Sequence, residues 1–167
     1  MIGNLSALMK MIPSWLVIAG VTFLAASIVN RIPNEDRRWF DRLRRPQWLT
    51  FERAIPFIWI AIFTLGVISA SEVWKIAPNT VKTWLLMAVY LLWEIAILAY
   101  TRLMCKFRSL KLGTIVGAIG FAIGLILTIL VFPVSNKAGW LLVPFLLWSP
   151  VGTFVTWQMI TLNPEDA

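Results

Sequence analysis

The stretch Leu112–Asn136, "LGTIVGAIGFAIGLILTILVFPVSN", carries no charge across its whole length. A helix crossing the ~30 Å hydrocarbon layer of a bilayer needs about 20 mainly apolar residues. This run satisfies that requirement alone, and it has neighbours of the same kind. Met11–Asn30, Ala54–Ser71 and Ala138–Pro164 are also free of charge. Thr83–Tyr100 is interrupted only by Glu94. The runs are continuously apolar rather than alternating every second residue, so they predict helices and not a barrel.

Composition agrees. Hydrophobic residues make up 59% of the 167 and charged residues 14%, where a soluble domain carries roughly 45–50% and about 25%. Mean hydropathy is +0.80. The first run is too long for the apolar core of a signal peptide, typically about 7–15 residues, and is read as a span. The expectation is a single all-α membrane domain over residues 1–167, a five-transmembrane-helix bundle. Its spans run over about 12–30, 54–74, 82–104, 111–133 and 139–162. An ordered Trp/Arg-rich first loop, 31–53, joins the first two.

The net charge of +7 would suggest nucleic acid only if the bases formed a soluble face. They fall in the loops instead. Arg31, Arg37, Arg38, Arg42, Arg44, Arg45 and Arg53 lie between spans 1 and 2. Arg102, Lys106, Arg108 and Lys111 lie between spans 3 and 4. Lys10, Lys75, Lys82 and Lys137 fall on the other side. Cytoplasmic loops collect Lys and Arg. The N-terminus is therefore expected outside, the C-terminus inside, and the partner is the lipid bilayer. The short chain, without an evident transit peptide, points to a bacterial plasma membrane.

Much ordinary chemistry is missing from the residues. There is no His, which removes the commonest general base and metal ligand. A lone Cys105 forms neither an internal disulfide nor a zinc cluster. No metal site and no required cofactor are expected. What the chain has is aromatic surface: 10 Trp, 10 Phe and 2 Tyr. Such side chains suit stacking on flat apolar ligands, and Trp also marks the lipid–water interface of membrane proteins generally.

Particular motifs go further. "WFDRLRRPQW", residues 39–48, resembles the loop signature W-[YF]-x-x-L-x-[KR]-P-x-W of the TspO/MBR family, the tryptophan-rich sensory or translocator proteins. It matches at Trp39, Phe40, Leu43, Arg45, Pro46 and Trp48. "IPFIW" is similar to the family's P-x-x-W opening of the second span, at Pro56 and Trp59, and "VWK" (Val73–Lys75) to its close. "VPFLLWSPVGTFVTWQMITLNP" is similar to its last span, at Pro144, Trp148, Trp157, Leu162, Asn163 and Pro164. There are departures as well. Thr50 and Phe51 stand where the family has Pro-Pro. "IAILAYT" puts Ile97 in place of a pocket Asn, and Tyr100 near the place of a Trp. Thr156-Trp157 replaces Asn-Trp, and Ile160 and Thr161 replace Trp and Arg. "LAYTR" (Leu98, Tyr100, Arg102) fits a sterol pattern only formally, such patterns being weak.

The resemblance implies a pocket open toward the loop side that binds porphyrins, haem-pathway intermediates or sterol-like molecules, with the first loop as a lid. Trp59 and Trp148 become pocket residues, with Pro56, Gly152, Val155 and Tyr100 beside them. Trp39 and Trp48 become the lid's inward rings. Arg42, Arg44 and Arg45 would stay wet and pair with ligand propionates, since Arg binds carboxylates bidentately. A membrane receptor or sensor for a tetrapyrrole is the leading expectation. One alternative is light- or oxygen-dependent porphyrin breakdown using a pocket Trp, which needs neither His nor metal. The other is a structural partner of a larger membrane complex, its pocket degenerate.

Two further features stand out. Glu94 is the one charge inside a span, and an intramembrane carboxyl is expensive. A structural hydrogen bond to Thr64, Ser69 or Thr128 is preferred for it over a role in recognition. "GTIVGAIGFAIG" sets Gly113/Gly117 and Gly120/Gly124 four apart, which lets helix backbones approach closely. Packing within the bundle is preferred there, with a homodimer through that face as the second reading.

Overall fold

The computed structural model describes residues 13–29 and 31–167. It contains six α-helices and two short 3-10 turns, and no strand among the described residues. The five long helices are α1 (Ser14–Val29), α3 (Ile55–Ile76), α4 (Val81–Phe107), α5 (Leu110–Val131) and α6 (Asn136–Leu162). In the loop lies α2 (Asn34–Arg42), followed by a 3-10 turn at Glu52–Ala54. Helices α3 to α6 are each long and apolar enough to span a bilayer. The described part of α1 covers 16 residues, about 24 Å at 1.5 Å per residue.

The boundaries have local causes. Thr80, Ser109 and Ser135 cap α4, α5 and α6, each accepting a hydrogen bond from the backbone N–H three residues on, at 3.2 Å. Such caps satisfy amides that a helix start leaves unpaired. Arg108 adopts the left-handed region, φ 48°, and ends α4 so tightly that α5 starts two residues later. Pro56 sits in the first turn of α3, where its missing N–H costs nothing.

Helix α5 packs between α4 and α6, α3 lies on α6, and α1 leans on α3 and α4 without burying any residue of its own. The main core joins Ile62, Trp93, Leu127, Leu142 and Phe145, with Trp93 and Phe145 edge to face at 5.1 Å. A second core at the loop end joins Trp39, Leu43, Met104, Cys105, Leu110 and Met159. The glycine stripe of α5 faces inward. A methyl at Gly113 would meet Met104, at Gly117 Thr153, and at Gly124 Phe145. That face is taken up within the chain by α4 and α6.

Glu94 does bond across helices, but with another partner than expected. It accepts from the Thr22 hydroxyl of α1 at 3.2 Å. Thr64 and Thr128 instead donate to carbonyls of their own helices, as threonines in helices readily do. Ser69 is engaged with Tyr90 and donates to the carbonyl of Ala138.

The charged loops sort to opposite ends. Lys75 and Lys137 both pair with Glu72, at 3.0 and 3.3 Å. At the far end Arg108 reaches Asp36 of α2 at 4.0 Å, and Arg102 donates to the last carbonyls of α1, at Ile28 and Val29. A cation there satisfies acceptors that a helix end leaves free.

Candidate functional site

Under the loop, between α3, α4 and α6, lies a cavity of about 490 Å³. Each wall follows from helical spacing. From α3, Pro56, Trp59 and Phe63 face it; residues three and four apart share a helix face. From α4 come Ile97, Tyr100 and Thr101, and from α6 Trp148, Gly152 and Val155. The loop supplies the roof through Phe40, Arg45, Leu49, Phe51 and Glu52, and α1 contributes Ala26. Trp59 is flanked by Phe63 and Phe145, with ring centroids at 6.1 and 6.5 Å. Trp148 stands 6.2 Å from Phe51.

Of the residues singled out in the sequence, the structure brings Trp59, Trp148, Pro56, Gly152, Val155, Tyr100 and Arg45 together around this cavity. Trp39 and Trp48 do not line it. Trp39 is buried, 2% exposed, but in the second core. There its indole donates to Asp166 at 2.7 Å. Trp48 is 42% exposed, contrary to the expected inward ring. The turn closed by Leu49 N–H on the Pro46 carbonyl sends Leu49 inward instead, and the Trp48 indole bonds Gln158 at 2.6 Å on the outside.

The three arginines also separate. Arg42 is open to water and 3.6 Å from Asp166. Arg44 is held by its backbone: its N–H donates to the Asn163 side-chain oxygen at 2.8 Å, and its carbonyl accepts from the Asn163 amide at 3.1 Å. Arg45 is not wet. Its guanidinium donates to the carbonyls of Leu43 and Phe40, at 2.7 and 3.0 Å, and to Glu52 at 3.1 Å. It also lies 4.4 Å over the Phe40 ring. Each guanidinium nitrogen already donates to one acceptor of the roof, and the Phe40 ring covers one face, so the group is fastened to the loop rather than held out toward water.

Leu49, Glu52, Phe63 and Met159 line the cavity without having been singled out, and Phe51 had stood out only as a departure from the family pattern. Phe63 was accessible from its four-residue spacing to Trp59. Met159 was likewise accessible, four residues after Val155 on α6; Leu49, Phe51 and Glu52 depend on how the loop folds back, which no periodicity encodes.

Comparison with known proteins agrees with this architecture. The chain is 29% identical over 129 residues to the tryptophan-rich protein TspO of Bacillus cereus, covering 77% of this chain and 82% of that one. It is 24% identical over 157 residues to the uncharacterized membrane protein YtaB of Bacillus subtilis, covering 93% and 99%. The family description TspO/MBR matches residues 12–162. A bundle of apolar helices with an aromatic cavity beneath an arginine-rich loop, matched over that length, makes this chain an integral, multi-pass membrane protein belonging to the TspO/MBR family.

Proposed function

We propose that the cavity binds a planar tetrapyrrole, or a similarly flat hydrophobic molecule, and that the protein serves as a membrane receptor or sensor for it. The observation that carries this reading is the cavity itself. Its volume of about 490 Å³ falls within the ~300–1,000 Å³ usual for small-molecule sites. Its walls offer Trp59, Trp148, Phe40, Phe51 and Phe63, and aromatic faces favour offset stacking. Ile97 lines the space without closing it, which favours a ligand over a degenerate pocket.

The test is a titration of the detergent-solubilised protein with protoporphyrin IX, followed by Trp fluorescence. Trp59→Ala and Trp148→Ala should each weaken binding while the helical content is kept. By analogy with base–aromatic stacking, each loss is about 1–3 kcal/mol, roughly 5- to 150-fold in Kd. Unchanged affinity in both variants would mean that no porphyrin sits in this cavity.

A further inference from the structure

A second, smaller space adjoins the cavity. Trp59, Ile97, Tyr100 and Gly152 border both, and this one, of about 30 Å³, is lined mainly from α4, α5 and α6. Its far walls are small residues: Ala96, Val116, Gly117 and Gly120. A methyl added at Gly120 or at Gly152 would meet nothing within 4 Å. These two glycines thus differ from Gly113, Gly117 and Gly124, whose missing side chains are replaced by neighbours in contact. Helix packing accounts for those three and leaves Gly120 and Gly152 unexplained.

The slot also holds a polar group. Ser149 lines it and is 7% exposed. Its hydroxyl makes no hydrogen bond among the described residues, while its backbone carbonyl accepts from Thr153 at 3.1 Å. The hydroxyl is not one of the fully enclosed groups without a partner, which belong to Trp93, Glu94 and Trp148, and so stays open to an atom entering the slot.

We propose that this slot is a subsite for a short arm on the edge of the ligand. It holds about two water-sized atoms, so the arm has about two heavy atoms, the size of a vinyl, ethyl or formyl group. Ser149 favours an arm ending in an acceptor. The assignment rests on the tetrapyrrole reading above and narrows it: the porphyrins selected are those with two-atom substituents on the ring edge, not those with bare positions.

Three porphyrins with the same propionates test this: deuteroporphyrin IX (hydrogen at the two positions), protoporphyrin IX (vinyl) and diformyldeuteroporphyrin IX (formyl). The unaltered protein should prefer vinyl over hydrogen by on the order of tenfold, from two buried carbons. It should prefer formyl over vinyl by roughly threefold, from one hydrogen bond. Gly120→Ala puts one methyl into the slot and takes up about half of its two-atom space. It should lower the vinyl and formyl preferences while leaving the affinity for deuteroporphyrin unchanged. Ser149→Ala should erase only the formyl advantage. Each preference is read as its change from the unaltered protein to the variant, so that differences in how the porphyrins partition into detergent cancel. A vinyl-to-hydrogen ratio of Kd that Gly120→Ala leaves unchanged overturns the slot assignment and leaves the cavity standing. If none of the three porphyrins binds, both readings fall.

Discussion

Arg45 shows how a residue can be placed correctly by a motif and misjudged in its work. The family signature puts it beside Pro46 at the cavity, and it is there. The supposition that it stays free for a propionate overlooked the bare carbonyls where α2 ends. Arg presents its donors in a rigid fork, and here the fork closes on Phe40, Leu43 and Glu52. Arg45→Gln should therefore unfasten the roof rather than remove a charge from the ligand. Losing charged hydrogen bonds of this kind costs about 1–3 kcal/mol. Protoporphyrin and its dimethyl ester should lose affinity alike. Arg42→Gln should instead weaken the free acid more than the ester, and rising salt should shrink that difference. The measurement is the acid-to-ester ratio of Kd for each variant. A ratio that moves only in Arg45→Gln would show that its guanidinium leaves the carbonyls when ligand arrives.

At the scale of elements, the spans were legible because bilayer thickness dictates them. The apolar runs correspond to the five long helices; α4, α5 and α6 start earlier than expected where Thr80, Ser109 and Ser135 cap them, and α4 runs on to its left-handed cap at Arg108. Helix α2 was not foreseen, although Pro33 followed by Asn34, Glu35 and Asp36 is a helix-start pattern with acids on the positive end of the dipole. Nor was the clasp that holds the loop. Asn163 grips the backbone of Arg44, Asp166 takes the Trp39 indole, and Gln158 takes that of Trp48. These contacts join residues more than 100 positions apart, and no local pattern announces them. Helix α6 and the turn after it are thus the loop's anchor. Asn163 is 3% exposed, and Asn163→Ala would leave the Arg44 amide and carbonyl without their partners. A buried group left unsatisfied costs about 1–3 kcal/mol. Amide hydrogen exchange across residues 40–50 should rise in this variant, in the absence of any ligand, while exchange in α5 stays as it was. Equal exchange in the loop of both proteins would show that the clasp is incidental.

For the whole molecule, the decisive feature is the unequal charge of its two ends. Eleven Lys and Arg stand in or beside the loop end, whereas Lys75, Lys82 and Lys137 stand at the other; Lys10 lies outside the described residues. The ion pairs of Glu72 with Lys137 and of Asp36 with Arg108 fix which loops share an end. They leave open which side of the membrane each end faces. The retention of Lys and Arg on the cytoplasmic side predicts the loop and the cavity roof inside the cell. The ligand would then be sampled from the cytoplasm or the inner leaflet. Cys105 is 1% exposed and reports poorly, so new cysteines on a Cys105→Ser background are needed. Asn136 and Gln47 are exposed, uncharged and at opposite ends, and replacing them leaves the charge bias intact. Asn136→Cys should react with a membrane-impermeant maleimide in intact cells. Gln47→Cys should react only after lysis. The reverse pattern would put the arginine-rich loop outside, and would require that the insertion signal be read from something other than the 11 bases around it.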